Sequence, residues 1–250
     1  MLLAILQGLF EWWPISSSGV LVLVSTLYGL NISTGYTSGL ALHLASGLAV
    51  LTIYRGQVYS VLREVTSLKI RETTKHYLYA LIVSFVVGGP LYITYIGISE
   101  YIGSFALILI SIGLIVTSLF LLRGRGGLSE DISLYDWLIT GLLQGIAVLP
   151  GFSRSGLTIG YLCIRGYKPE KAVEASLLLA IPALLVAGTY NLLKTSSDIT
   201  TIAVAQAIVY LISILSARVL IEFSRRTRFY IFTLTLAILT MISALIQILF

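Results

Sequence analysis

The chain alternates long apolar runs with short polar links, and two of the runs are broken in the middle. From the start, residues of about 2–30 are apolar except around Glu11, Pro14 and the serines at 16, 17 and 18. A short polar link with Asn31, Ser33 and Thr34 follows, and an unbroken run over 38–54 predicts a first membrane span that ends at Arg55. Residues 55–76 mix apolar and charged positions, as a helix and loop at a membrane surface would. Further spans are predicted at about 77–96 and 102–122, then a polar loop from Arg123 to Asp136, a second broken run at about 135–165, and spans at roughly 172–193, 199–221 and 229–249. Three spans follow each broken run.

The two broken runs are copies of each other. At a constant offset of 137 and without a gap, Gln7 falls on Gln144, Gly8 on Gly145, Ser16 on Ser153, Ser18 on Ser155 and Gly19 on Gly156. Such an internal repeat, with Pro, Gly and Ser at its centre, predicts two half-helices that meet at a turn rather than one spanning helix. The fold expected is therefore an all-α integral membrane protein: six transmembrane helices plus two re-entrant helical hairpins, in an inverted-topology repeat. It would be a single membrane domain over 1–250, with halves of about 1–125 and 133–250.

Composition agrees with a membrane setting: 57% of the 250 residues are hydrophobic and only 11% are charged. The net charge of +5 changes the picture only through its distribution. Threading the chain through two re-entrant hairpins places fourteen of the 16 Lys and Arg on one face, Lys194 alone on the other, and Arg154 inside the second hairpin. The loaded face is then cytoplasmic, and both termini lie outside. No basic stripe with interleaved aromatics points to nucleic acid. A single cysteine, Cys163, excludes an internal disulfide and reads as packing, and two histidines with one cysteine make no spaced zinc set. The first residues lack the basic start of a cleavable signal and are expected to belong to the mature fold.

Irregular backbone at membrane depth persists only where protein or a water-filled cavity surrounds it, so the breaks are the candidate site. Ser16, Ser17 and Ser18 in one copy, and Ser153 and Ser155 in the other, can cap the half-helices that follow, leaving free N–H groups aimed at a common point. Two helix N-termini, several hydroxyls and the guanidinium of Arg154 describe an anion site, most naturally for phosphate. Glu11 and Arg154 are charges at membrane depth and mark a functional path, or else simply pair with each other. Gln7 and Gln144 lie one turn before Glu11 and Val148, with an interhelical hydrogen bond as the plainer reading. His43, within a span, is a proton acceptor near the site or a packing histidine. His76 reads as interfacial, and Trp12 and Trp13 as an interface belt or a cavity wall rather than a stacking platform.

Gln7-Gly8-Leu9-Phe10-Glu11-Trp12-Trp13-Pro14-Ile15-Ser16-Ser17-Ser18-Gly19 and Pro150-Gly151-Phe152-Ser153-Arg154-Ser155-Gly156-Leu157-Thr158 resemble the two signature motifs of the BacA-type undecaprenyl-diphosphate phosphatases. Leu42-His43-Leu44 and the stretch from Arg165 to Pro182 resemble that family as well, so the likeness runs through nearly the whole chain. It implies removal of the terminal phosphate from a polyprenyl diphosphate, recycling the lipid carrier for envelope glycan synthesis in the cell membrane, with Mg²⁺ or Ca²⁺ as cofactor. It also implies roles. Glu11 matches an acidic residue that positions a metal or water, Ser17 a catalytic serine, and Arg154 the phosphate-binding arginine, with Ser16, Ser18, Ser153, Ser155 and Thr158 around it. The metal would be held by Glu11 and Gln7, and His43 is an accessory candidate. Two positions depart from the pattern: Val20 stands where the motif commonly has a histidine, and Gln7 where it often has a second Glu. The partners expected are the diphosphate lipid, membrane lipids and, as an open alternative, a second copy in a homodimer. A transporter or flippase for polyprenyl phosphate is the rival reading, because inverted repeats with broken helices also build alternating-access carriers.

Overall fold

In the computed structural model the described residues are 1–29, 32–99, 105–195, 198–223, 234–242 and 245. They form helices α1 (Leu2–Phe10), α2 (Ser17–Leu27), α3 (Ile32–Ile53), α4 (Arg55–Thr66), α5 (Glu72–Ser99), α6 (Phe105–Arg123), α7 (Leu134–Ile146), α8 (Arg154–Ile164), α9 (Pro169–Leu192) and α10 (Ile199–Phe223), with a further helical stretch over 234–242. Among the described residues there is no strand, apart from one isolated bridge between Ser129 and Tyr167.

Five helices are long and apolar enough to cross a membrane: α3, α5, α6, α9 and α10. The sixth expected span, 229–249, lies largely outside the described residues, as do Asn31, Arg225, Arg226 and Arg228. Several boundaries differ from expectation. The α3 backbone is already helical from Ile32, and α5 starts at Glu72, ahead of the apolar run, because five polar residues at its start, Glu72 to His76, stay on the helix. Pro90 and Pro182 sit inside α5 and α9 without dividing them.

The two broken runs are helix pairs. At ~1.5 Å per residue, α1, α2, α7 and α8 reach only about 14–20 Å each, well short of a bilayer's hydrocarbon core of ~30 Å. Their starts follow from local chemistry. Ser16 and Ser153 cap α2 and α8 through the same bond, each Oγ accepting from the N–H three residues on, Gly19 and Gly156, at 3.2 Å. Ser133 caps α7 by accepting from the Asp136 N–H at 3.1 Å.

Packing joins the pairs to the long helices. Helix α1 lies on α10 and α2 on α3, while α7 lies on α5 and α8 on α6 and α9; α3 and α9 pack together at the centre. The α5–α7 seam is made of small residues one turn apart, Ala80, Ser84 and Gly88 against Gly141 and Gly145, so close that a Cβ on Gly145 would stand 2.9 Å from the Ser84 carbonyl oxygen. Three cores hold the hairpins in place. Trp12 packs with Val50, Leu177 and Leu220, Val22 with Tyr36, Leu107 and Ile110, and Leu162 with Ala80, Ala172 and Leu179.

Candidate active site

Both hairpin turns meet at the inner end of one cavity of about 350 Å³. Its inner end is lined by Glu11, Ser16, Ser17, Ser18, Ser153 and Arg154, with His43 from α3. Its walls come from the second halves of α5 and α9, between Ser84 and Ile93 and between Ala180 and Asn191, and from the first half of α3. Those segments lie away from the basic loops, which join α3 to α5 and precede α9. The exposed Phe85, Ile93 and Val186 are among the lining residues, so the cavity also opens sideways between α5 and α9.

Glu11 is the hub. Its side chain is only 4% exposed, and Oε1 accepts from Arg154 Nη2 at 2.9 Å, an ion pair that joins the two hairpins. Its Oε2 accepts from Ser17 Oγ at 2.8 Å and from Gln7 Nε2 at 2.8 Å. Because an amide oxygen would not face a carboxylate at that distance, the Gln7 nitrogen is assigned to Glu11, and its other proton goes to His43 Nδ1 at 2.8 Å. His43 accordingly carries its proton on Nε2. The Arg154 guanidinium lies 5.1 Å from the Trp12 ring centroid and reaches toward the Ser176 carbonyl at 3.5 Å. Trp12 is thus a fully buried platform for Arg154, not part of an interface belt. Trp13, one residue on, donates to Ser216 at 2.9 Å.

The backbone is shaped for the same purpose. Ser16 has φ of 67° and Gly151 φ of 93°, left-handed turns at equivalent breaks, and a Cβ on Gly151 would run into the Ile110 carbonyl. Beyond them the first N–H groups of α2 and α8 have no intrahelical acceptor, and the lining serines place these helix starts on the cavity.

Not every expected residue reaches it. Ser155 is 1% exposed and donates to the Trp13 carbonyl at 3.0 Å, tying one hairpin to the other. Thr158 is fully buried, bonded to the Arg154 carbonyl at 2.8 Å and to Ser176 at 2.7 Å. Both support the Arg154 loop from behind. Gln144 lines the wall and donates to Ser84 and to the Leu179 carbonyl, as an interhelical bond would. Val20 is buried on α2 and outside the lining, so it brings no polar group to the cavity.

The expected cation pair of Glu11 and Gln7 is not formed either. Gln7 is outside the lining and offers Glu11 its nitrogen, while its Oε1 is buried with no partner. Both carboxylate oxygens of Glu11 are occupied, one of them by a guanidinium. Among the described residues no three His, Cys, Asp or Glu side chains gather as a metal set. This donor arrangement does not fit a resident divalent cation.

A second polar cluster escaped the sequence. Asp136 is 2% exposed and accepts from Tyr161 at 2.6 Å, Tyr167 at 2.7 Å, Arg165 Nε at 2.8 Å and Ser133 Oγ at 2.8 Å. Burial raises its pKa, but the bonds from Tyr161, Tyr167, Ser133 and Arg165 outweigh it and hold the carboxyl at about 2. The cluster closes the α7–α8 hairpin on the basic side. The signal for it was the Ser133-x-x-Asp136 cap, with tyrosines that only the fold brings near.

The family model described as bacitracin resistance protein BacA matches residues 1–242. The chain belongs to the BacA family. Among its relatives, the undecaprenyl-diphosphatase of Pyrobaculum aerophilum is 34% identical, over all of this chain and 97% of that protein. The undecaprenyl-diphosphatase of Haloarcula marismortui is 35% identical over 85% of this chain and 82% of its own length, and that of Saccharolobus solfataricus 28% identical over 99% and 95%. With five apolar helices of spanning length, this BacA-family chain is a multi-pass membrane protein.

Proposed function

We propose that the chain is a membrane phosphatase that converts a polyprenyl diphosphate of the undecaprenyl type to the monophosphate and inorganic phosphate, recycling a lipid carrier for envelope glycan synthesis. The observation that carries this reading is the placement of Glu11 between Ser17 and Arg154 at the inner end of a cavity with an apolar side opening. A hydroxyl hydrogen-bonded to a carboxylate is a nucleophile with its base. A guanidinium and two helix starts beside them suit a phosphoryl group. The relatives' name, undecaprenyl-diphosphatase, supports the same reaction and lends nothing to a polyprenyl-phosphate transporter.

In this scheme the terminal phosphate takes Arg154 from Glu11. Glu11 then accepts the Ser17 proton as Oγ, or a water in its place, attacks the terminal phosphorus. The phosphoanhydride bond breaks, and lipid monophosphate leaves as an anion that needs no proton. If Ser17 attacks, water then attacks the phosphorus held on it, the P–Oγ bond breaks, inorganic phosphate leaves with the water's protons, and the proton held on Glu11 returns to Ser17 Oγ. The N–H groups of α2 and α8, with Ser16, Ser18 and Ser153, hold the oxygens in flight. His43, fixed by Gln7 beside Glu11, completes the polar wall, and Ser155 and Thr158 keep the Arg154 loop in place. We propose that a divalent cation enters as the counter-ion of the diphosphate, whose oxygens supply the donors that the protein lacks.

We infer further that α1–α2 and α7–α8 are re-entrant hairpins in two inverted halves, with 229–249 as the sixth span. Their short helices support this, and so does an exchange of partners. Helix α1 packs on α10 as α7 packs on α5, and α2 on α3 as α8 on α9, which is what a two-fold between the halves requires. With the basic loops cytoplasmic, the cavity opens to the outside and the outer leaflet.

Phosphate release by the purified protein from a polyprenyl diphosphate, with and without Mg²⁺ or Ca²⁺, tests the reaction. Release abolished in Arg154→Ala is the expected result. Binding of the lipid without release would overturn the phosphatase reading.

A further inference from the structure

The cavity has a second polar station, far from Glu11. Tyr92, Tyr190 and Asn191 line its outer end. Tyr92 donates to Asn191 Oδ1 at 2.9 Å and meets the Tyr190 ring edge-on, the centroids 5.9 Å apart at 84°. Asn191 is 4% exposed and is itself anchored by donating to the Ala187 carbonyl at 2.9 Å. Lys194, just past the end of α9, donates to the Tyr190 hydroxyl and lies 4.2 Å from the centre of its ring. The hydrogen bond to Tyr190 raises the pKa of Lys194, so its ammonium stays charged. It is also the one Lys or Arg that the charge pattern leaves on this side of the molecule.

Between this rim and Arg154, the α9 wall is Ala180, Ala183, Leu184, Val186 and Ala187, with no charge. Ser176, whose carbonyl Arg154 approaches, and Tyr190 are fourteen residues apart on α9, about 21 Å at ~1.5 Å per residue. A diphosphate does not span that distance, so Lys194 does not act in the chemical step. A cation at the mouth of an apolar throat leading to a second cation does something else: it concentrates anions at the entrance.

We propose that Lys194, held by Tyr190 with Tyr92 and Asn191 beside it, captures phosphate-bearing head groups at the mouth of the cavity before they descend to Arg154. Lys194 is thus a positioning residue, and the proposal rests on the phosphatase reading for its substrate.

The test is steady-state phosphate release from a polyprenyl diphosphate by the full chain in vesicles, comparing wild type with Lys194→Gln, Lys194→Glu and Lys194→Arg at low and high salt. Electrostatic capture acts on the rate of encounter and is screened beyond ~10 Å at 0.1 M salt. In Lys194→Gln, kcat/KM falls about fivefold to twentyfold at low salt, within the range of steering effects, while kcat is kept. The loss is larger in Lys194→Glu, is recovered in Lys194→Arg, and disappears at high salt. Inhibition by inorganic phosphate separates the sources of the anion. An inhibition constant raised in Lys194→Gln shows that free phosphate also uses the station, and an unchanged one restricts it to lipid head groups. Unaltered kcat/KM in Lys194→Glu overturns the proposal, as does an equal fall in kcat with a lower melting temperature.

A second readout needs no turnover: the association rate of a short-chain prenyl monophosphate, followed by tryptophan fluorescence. A slower association in Lys194→Glu than in wild type supports capture even in a protein that releases no phosphate, and equal rates refute it. Absence of release from wild type counts against the phosphatase reading alone.

Discussion

Glu11 and Arg154 form a buried pair whose members cannot be treated singly. Removing one partner strands the other charge, at a cost of about 3–5 kcal/mol for buried pairs. Arg154→Ala is therefore expected to lose both stability and, by at least about 100-fold, kcat. Glu11→Gln combined with Arg154→Met removes both charges, and thermal unfolding in micelles should show most of the stability restored while phosphate release stays absent. Recovery of one without the other separates the two roles of the pair. Asp136 gives a pH-dependent counterpart. Its folded pKa, about 2, lies below its ordinary 3.8, so its stabilising contribution is complete above about pH 4 and is lost as pH falls toward 2. The melting-temperature gap between wild type and Asp136→Asn should be constant from pH 5 to 7 and should shrink below pH 4.

The helices themselves were largely legible. A break of Pro, Gly and Ser inside an apolar run marks a helix end because those residues cap, turn or cannot continue a helix, and both breaks fell where the turns are. The polar starts of α3 and α5 were not legible, since isolated Ser, Thr and Lys are tolerated in a helix that tertiary contacts hold. That Ser155 and Thr158 lie behind the cavity lining was not legible for a related reason: periodicity places a hydroxyl on a helix but does not say which neighbour it meets, and here Trp13 and Ser176 meet them first. The α5–α7 seam shows how little slack the packing leaves. Gly145→Leu inserts a side chain where even a Cβ is crowded by the Ser84 carbonyl, and overpacking of this kind costs about 1–3 kcal/mol or more. Its expected result is a melting temperature several degrees lower, with phosphate release lost because α7 no longer holds the second turn in register.

At the scale of the molecule, the all-helical membrane class was legible from the long apolar runs, and five helices of spanning length agree with it. The cavity's direction was not, because it depends on which halves of α5 and α9 face each other. Orientation is open to a direct check. Cys163 is 8% exposed and packed in a core cluster, so a cysteine introduced by Ser67→Cys in the basic loop reports without much background. A membrane-impermeant thiol reagent should modify it only after access to the cytoplasmic side, and modification from outside in intact cells would reverse the topology. One further consequence follows from Trp12, which lies fully buried beneath Arg154. With that ring at its back, Arg154 meets an arriving head group on its cavity side, so binding there competes with Glu11 and not with the indole.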